Sequence, residues 1–591
     1  MRWALLAVVA STASAAGPAG APTGPTEADF ENVHFSRIIC WTWVACVGSL
    51  VIYQIIVRSV RYVRTITCLN NDTQRFFARP RPTHALLKRD FIDAPLLRMR
   101  HHREFKLSAA LNVGTLPSRI QTLYLAGYLA MNVAFCVLSI DWSGVEKSVA
   151  SELRNRTGVL AVMNMLPLFL LAGRNNPLIK WCGISFDTFN LLHRWIGRVV
   201  VLEALAHTLA WMVSKVHQVG WSGVATAVTH SQLIMTGTIG TLAFLALLFQ
   251  SPSVLRHAFY ETFLHVHIAL AGLAVGAVWI HLKTLPQQRI LMGVIALWAM
   301  ERSLRLARII IRNVGRGGTK VDVEVLPGDA LRVTVRMARP WKFHPGQHAY
   351  LYLPTLGWWT SHPFSLAWSE EEQEGLTSEK GLVVHNQDIL EVKKSSMSMI
   401  IRRRTGFTDK LYQKADLNSS GKFTTSALIE GPYGHQSLSS YGTVILFAAG
   451  VGITHQVPHL RHLVAGFDNG TVAARRVTLI WMIQSREHLE WTSSWMNSIL
   501  CMPRRREVLK ILIFVTRPRS PTEIESPSGN VKMFAGRPNV RALVEQELEH
   551  GVGAAVVSVC GTGSLADDVR RAVRGSQGRW NVDLCEESFS W

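Results

Sequence analysis

Seven apolar runs of membrane-spanning length, or close to it, crowd the first 305 residues of this 591-residue chain. They lie near residues 39-57, 120-140, 158-173, 193-213, 232-250, 264-282 and 289-305. A helix needs about 20 apolar residues to cross a hydrocarbon core about 30 Å thick, so each run reads as a span. The chain thus divides into a membrane half and a half that is not membrane, too long together for one domain. Seven crossings put the two ends on opposite sides. Lys and Arg gather on the cytoplasmic side, and they gather here between Arg58 and Arg119, at Arg174 and Lys180, and at Arg302, Arg305, Arg308 and Arg312. The N-terminus is therefore expected outside and the long C-terminal half inside. This topology accounts for much of the formal net charge of +21, so no nucleic acid partner is invoked. Residues 1-17 read as a signal peptide, with Ala13, Ala15 and Ala16 as a small-residue cleavage tail, and 18-38 as a short extracellular segment. Asn155-Arg156-Thr157 is a glycosylation acceptor in a loop expected outside, whereas Asn71-Asp72-Thr73 lies inside and should stay bare. The eight cysteines show neither metal-ligand spacing nor a disulfide framework.

Two of the runs carry paired histidines at one spacing. His193 and His207 are fourteen residues apart, as are His267 and His281. Fourteen residues advance a helix by roughly 21 Å and return to within about 40° of the starting face. A lone histidine in an apolar helix is more often a packing residue than a ligand. Two pairs sharing one long period, at a depth where ionisable groups are costly, point to metal ligation. Haem iron takes two axial imidazoles, so two such helices side by side would hold two stacked haems and conduct electrons across a bilayer. Both helices follow loops expected in the cytoplasm and so run parallel, which pairs His193 with His267 and His207 with His281. His265 lies sixteen residues before His281, about 160° off that face, and is not expected to ligate iron.

From Val321 the pattern alternates. Residues 321–325 and 331–335 read as half-buried strands joined by the turn Pro327-Gly328-Asp329, which suggests a small β-barrel. After about residue 437, apolar strands at 443–448, 477–482, 511–516 and 554–559 alternate with helical stretches, which suggests a parallel α/β sheet. Between them, the first part of 369–399 reads as a variable surface loop. Gly450-Val451-Gly452-Ile453-Thr454 directly follows a strand. Glycines there admit either a close-lying pyrophosphate or a plain tight turn, and Cys560-Gly561 ends a late strand at the same carboxyl edge, where such sheets bind ligands. Ser485-Arg486 is compatible with a 2′-phosphate contact, which would select NADPH, or with a solvated Arg. In the barrel, His362-Pro363-Phe364-Ser365 and the run Arg402-Arg403-Arg404 before Gly406-Phe407-Thr408 form an aromatic, hydroxyl and cationic set suited to a flavin nucleotide.

These residues resemble the fungal ferric reductase family, within the larger group that includes NADPH oxidases. The resemblance runs from Asn164-Met165-Leu166-Pro167 through Asn175-Asn176-Pro177, Ser185-Phe186-Asp187-Thr188, Leu192 to Arg198, and Tyr260-Glu261 to His267. It continues in His344-Pro345-Gly346-Gln347 and in His362 to Ser365, which is similar to the family's flavin motif. Gly431-Pro432-Tyr433-Gly434, Gly450 to Thr454 and Cys560-Gly561 resemble its NADPH motifs, and Glu586 to Trp591 is like its ending. Two departures are mild: the nucleotide loop reads Ala449-Gly450-Val451-Gly452 where a further glycine is common, and Thr562 follows Cys560-Gly561 where the family often has proline. The resemblance implies a multi-domain chain. An all-α transmembrane bundle of seven spans with a bis-His haem core (39-312) would precede a ferredoxin-reductase-like β-barrel FAD domain (313-436) and an α/β parallel-sheet NADPH domain (437-591). Implied metal ligands are His193, His207, His267 and His281. Implied cofactor contacts are His362, Pro363, Phe364, Ser365, Arg403 and Thr408 toward FAD, and Gly431, Gly434, Gly450, Gly452, Thr454, Arg486, Cys560 and Gly561 toward NADPH. A terminal aromatic, Phe589 or Trp591, would stack near the flavin or belong to a loose tail. The implied activity is reduction of extracytoplasmic Fe(III) or Cu(II) chelates by cytosolic NADPH through FAD and two b-type haems, at the plasma or the vacuolar membrane, in support of iron uptake. Homo-oligomerisation is left open. A superoxide-generating NADPH oxidase is the rival, and a seven-helix receptor or channel the rival from another class.

Overall fold

The protein is described by a computed structural model covering residues 27–69, 71–100, 116–143, 146–315, 317–357, 360–372, 394–518, 520, 524, 526 and 531–587. The expected signal peptide, most of the acidic stretch after Ser369, and Phe589 and Trp591 lie outside these residues. Two compact units are present. One comprises residues 1–57 and 102–304, the other 58–101 and 305–591.

The first unit is helical. Its helices are α1 (Glu27–Thr67), α2 (Arg119–Val137), α3 (Glu146–Ala172), α4 (Phe186–His230), α5 (Gln232–Gln250) and α6 (Tyr260–His281), followed by α7 (Gln288–Asn313). Local sequence sets several ends. Ser118 and Gln121 cap α2 reciprocally, Ser118 Oγ accepting from Gln121 N and Gln121 Oε1 accepting from Ser118 N, which satisfies two first-turn donors. Gly220, at φ +70° and ψ −178°, breaks the helical path of α4, so both of its paired histidines lie on the unbroken part. The core between α3, α4, α5 and α6 is aliphatic and aromatic, with Val162, Met165, Ile196, Val200, Phe244 and Ala274 buried.

Six described helices, α1 to α6, are long and apolar enough to cross a membrane. The seventh expected span does form a helix, α7. Its apolar run, from Ile290 to Met300, stops at Glu301-Arg302, and Arg305, Arg308 and Arg312 follow within the same helix. Eleven residues rise only about 16 Å, roughly half the hydrocarbon thickness. The glycosylation acceptor Asn155-Arg156-Thr157 also differs from its expected loop: it lies inside α3, with Thr157 buried and its hydroxyl donating to Leu153 O at 2.7 Å.

In the second unit, two antiparallel sheets precede a parallel one. The first has the order β5-β6-β2-β1-β7, built from β1 (Lys320–Leu326), β2 (Ala330–Arg336), β5 (Trp368–Glu372), β6 (Lys394–Arg402) and β7 (Lys422–Ser426). The second is β4-β3-β8, from β3 (His348–Tyr352), β4 (His362–Ser365) and β8 (Leu428–Tyr433). The β1–β2 turn is the expected one, with Gly328 at φ +72° and Asp329 at +57°, values that Gly adopts freely and Asp tolerates. Helix α8 (Phe407–Asp416) buries Phe407, Leu411 and Ala415 in the same core.

The parallel sheet has the order β12-β11-β10-β9-β13-β14, from β9 (Thr443–Ala449), β10 (Arg476–Ile483), β11 (Leu509–Val515), β12 (Val531–Ala535), β13 (Ala555–Cys560) and β14 (Val582–Glu587). Helix α9 (Ile453–Asp468) follows β9, and α10 (Val540–Glu549) and α11 (Gly563–Ser576) flank β13. The four central strands are near-continuous runs of buried Val, Ile, Leu and Phe, as a sheet covered on both faces requires. Residues 58–101, read from sequence only as a basic loop, pack here. Gln74 Nε2 donates to Ala473 O at 2.6 Å, Asn581 Nδ2 to Phe77 O at 2.9 Å and Gln577 Nε2 to Asp93 Oδ2, while Lys88 forms an ion pair with Asp583 of β14.

Candidate haem and nucleotide sites

The four histidines meet in two pairs across α4 and α6. The rings of His193 and His267 have centroids 6.2 Å apart, and those of His207 and His281 6.0 Å. A metal–imidazole bond of about 2 Å on each side, with about 1.1 Å from each nitrogen to its ring centre, sums to about 6.2 Å for a metal held between two imidazoles. The tautomers agree with ligation. His193 Nδ1 lies 2.9 Å from Leu168 O, His207 Nδ1 2.8 Å from Arg154 O, and His281 Nδ1 2.8 Å from Leu233 O. A carbonyl can only accept, so each Nδ1 carries the proton and each Nε2 presents its lone pair, the usual outer support of a metal-ligating histidine. His267 Nδ1 lies 3.0 Å from Gln250 Nε2, and the flipped amide, which places the oxygen there, completes the same pattern. Two glycines make the room. A β-carbon at Gly158 would meet His207 Nδ1 at 2.6 Å, and one at Gly237 would meet His281 Nδ1 at 2.8 Å. His265 is exposed and off the stripe. The donor sets therefore fit two bis-imidazole haems. Sequence reasoning singled out the four histidines but missed these carbonyls and glycines, which carry no pattern of their own.

The residues expected from sequence to contact a flavin lie together on the antiparallel sheets and α8. His362 to Ser365 form β4, paired antiparallel with β3, where Ala349 faces Phe364 and Tyr350 faces Pro363. The His362 ring stacks on Phe407 with centroids 4.2 Å apart. Thr408 Oγ1 accepts from Arg404 N at 2.9 Å, and Arg403 Nε donates to Asp409 Oδ1 at 2.6 Å. Asp329, Arg403, Arg404, Thr405 and Asp409 line an open cleft of about 540 Å³. Its size and two guanidiniums suit a phosphate-bearing cofactor, with Arg403 already oriented by two carboxylates, Asp329 and Asp409.

The residues expected from sequence to contact NADPH divide. Gly450 to Gly452 turn from β9 into α9, and Cys560-Gly561 end β13, so they straddle the point where strand order reverses between β9 and β13. That crevice is where open α/β sheets bind ligands. The two loops touch: a β-carbon at Gly452 would meet Cys560 O at 2.1 Å, and one at Gly561 would meet Ala449 Cβ at 2.7 Å. Gly450, at φ +54°, has open space where a β-carbon would stand. Thr454 Oγ1 donates to Val451 O at 2.8 Å and closes the turn. Burial pushes the Cys560 thiol up, with the Glu587 carboxylate adding to it, so it is a neutral thiol and no thiolate nucleophile. Arg486 follows Ser485 at the carboxyl end of β10, on the same edge. Gly431 and Gly434 belong elsewhere, to β8 and its exit in the three-stranded sheet with the flavin strand. Beneath them lies a group the sequence did not reveal. Glu430 is fully buried and accepts from Arg305 Nε at 3.2 Å, Tyr352 OH at 2.6 Å and Tyr433 OH at 2.5 Å, fixing the Gly431–Gly434 turn.

Three family models match in chain order. "Ferric reductase like transmembrane component" matches residues 157–278, "FAD-binding domain" 316–437 and "Ferric reductase NAD binding domain" 441–574. Along residues 157–574 the chain is thus similar to ferric reductases. Among curated relatives, this chain is 26% identical over 520 residues to the "Ferric/cupric reductase transmembrane component 2" of Saccharomyces cerevisiae, covering 82% of this chain and 68% of that one. It is 24% identical over 522 residues to the "Ferric/cupric reductase transmembrane component 1" of Candida albicans, covering 81% of this chain and 63% of that one. With the "Probable cell surface ferric reductase kap2" of Aspergillus oryzae it shares 27% identity over 351 residues, 57% of this chain and 44% of that one.

Proposed function

We propose that this chain is a transmembrane metalloreductase that takes electrons from cytosolic NADPH and delivers them, through FAD and two b-type haems, to Fe(III) or Cu(II) chelates on the opposite face of the membrane. The observation that carries the reading is the double pair of imidazoles, each spaced for one iron and each with its second nitrogen occupied. When bound, FAD converts a two-electron hydride donor into single-electron transfers and haem passes single electrons onward. The residues do the rest. His193 with His267 would hold the inner haem and His207 with His281 the outer. Leu168 O, Arg154 O and Leu233 O keep the ligating nitrogens aprotic and the rings aimed. The glycine turn after β9 and the Cys560-Gly561 turn form the crevice for NADPH, with Arg486 at its edge toward a 2′-phosphate. The cleft of Arg403 and Arg404 takes the flavin's phosphates, and the β4 strand lies beside it.

An outside N-terminus and a cytoplasmic C-terminal half are part of this reading, with the 26-residue α7 making the seventh crossing despite its short apolar run, and the basic residues that close it favour the cytoplasmic side for its end. The boundaries 39-312, 313-436 and 437-591 belong to it too, as does a plasma-membrane location in support of iron uptake. The names of the relatives favour metal over oxygen as acceptor. The test is NADPH-driven Fe(III)-chelate reduction across proteoliposomes, with a ferrous trap and strictly without oxygen. Anaerobic activity is the expected result. Activity that requires oxygen and vanishes with superoxide dismutase would instead make the chain an oxidase.

A further inference from the structure

Between the two histidine levels, α4 carries a carboxylate, Glu203, that makes no ion pair among the described residues. Glu203 is 5% exposed, four residues before His207 and so about 6 Å of helix rise from it. Among the described residues its hydrogen-bond partner is Asn164 of α3, whose Nδ2 lies 3.1 and 3.0 Å from the two carboxyl oxygens and 2.7 Å from Asn132 Oδ1 of α2. Asn164 is fully buried, and its Oδ1 has no partner among the described residues. The titratable groups that feel the charge of Glu203 are Tyr128 and Cys136, both on α2.

A membrane-buried carboxyl without a counter-ion is expensive and usually functional. Its setting suits two states. Asn164 Nδ2 satisfies a carboxylate, and the orphan Oδ1 of the same amide is the acceptor that a protonated carboxyl would need after an amide flip. We infer that Glu203 is a proton-binding site coupled to the electron load of the His207–His281 pair. Resting on the function proposed above, Glu203 takes one proton from water as an electron arrives beside it, its carboxylate becoming the acid. It releases that proton when the electron leaves for the acceptor. One O–H bond forms and breaks per electron, and NADPH oxidation supplies the electron.

The coupling is a charge–charge interaction through the protein interior, on the order of tenfold in proton affinity for a separation of about 10 Å at an effective dielectric of about 20. A one-electron couple reports tenfold as about 59 mV between its acid and alkaline plateaus. The test is a spectroscopic redox titration of the haems in the purified full chain from acid to alkaline pH, for wild type and Glu203→Gln. Wild type is expected to lose potential as pH rises in one of its two haem transitions, and the variant to hold the acid-plateau value throughout. A pH-independent wild type, or a variant that keeps the wild-type slope, overturns the inference. Should the variant fail to load haem, infrared redox-difference spectra of the wild type grown with carbon-13 glutamate decide: a label-sensitive carboxylic C=O band that appears on reduction supports the site, and its absence overturns it. Wild type that binds no haem at all would instead refute the function on which the inference rests.

Discussion

A β-carbon at position 158 would stand 2.6 Å from His207 Nδ1, closer than side chains approach one another. Gly158 sits on α3 and its neighbour on α4, so a methyl group there can be relieved only by moving an imidazole that Arg154 O already holds at 2.8 Å. Overpacking of this kind costs about 1–3 kcal/mol, and here the strain falls on the ligand. Gly158→Ala should therefore weaken the outer haem selectively, lowering the bound haem per chain toward about one while the His193–His267 pair stays loaded. Pyridine haemochrome assay against protein concentration checks this, and unchanged stoichiometry with an unchanged spectrum would count against His207 as a ligand. The histidines were legible because their spacing is a number that can be read from the chain. The glycines were not, because small residues at helix contacts are common in membranes, and only the partner helix reveals which imidazole each one faces.

The turn from β9 into α9 is built by close approach. Gly452 lies so near Cys560 O that a β-carbon would meet it at 2.1 Å, a backbone atom with no rotamer to yield. Gly452→Ala should push apart the two loops that flank the nucleotide crevice and raise KM for NADPH roughly tenfold or more, leaving flavin content near wild type. Stopped-flow reduction of the flavin at varied NADPH measures it. At the other end of the same sheet, β14 escaped a reading from periodicity, since Asp583, Glu586 and Glu587 interrupt its apolar residues. What satisfies it is the segment 58–101, whose polar side chains have no pattern that announces a docking role. Burial pushes the Asp583 carboxyl up, but the charge and hydrogen bond of Lys88 and the hydrogen bond from Tyr441 outweigh burial and hold it below the usual carboxylate value. A carboxylate with a depressed folded-state pKa contributes stability that is full above its unfolded value of about 3.9 and fades as pH falls through the lower folded value. Lys88→Ala leaves that half-buried carboxylate with the Tyr441 hydroxyl but without its ion-pair partner, and losing a charge-assisted hydrogen bond of this kind costs about 2 kcal/mol. Proteolytic cutting within residues 58–101 should accelerate at neutral pH, and the difference from wild type should shrink in strong acid.

Across the whole molecule, the order of elements was legible: apolar helices first, alternating strands next, apolar strands with helices last. Each of those patterns is a local consequence of what the element buries. The count of spans was harder, because α7 begins as apolar as its neighbours and turns basic halfway, so one helix satisfies the reading of a span at one end and of a cytoplasmic flank at the other. Electron flow should follow the same order as the chain's cofactor sites, and it can be cut at a chosen point. His207→Ala removes one of two ligands from the outer pair and touches neither the flavin cleft nor the glycine turn of the nucleotide crevice. With NADPH added anaerobically, its flavin should bleach at close to the wild-type rate, the His193–His267 haem should become reduced, and Fe(III)-chelate reduction should fall at least about a hundredfold, since about 2.7 kcal/mol added to a barrier already slows a step that much. His193→Ala should fail one stage earlier, with flavin reduced and both haem signals left oxidised. Equal behaviour of the two variants would mean that the pairs work side by side instead of in series. Loss of flavin reduction in a folded, FAD-loaded His207→Ala protein would mean that the outer pair lies upstream.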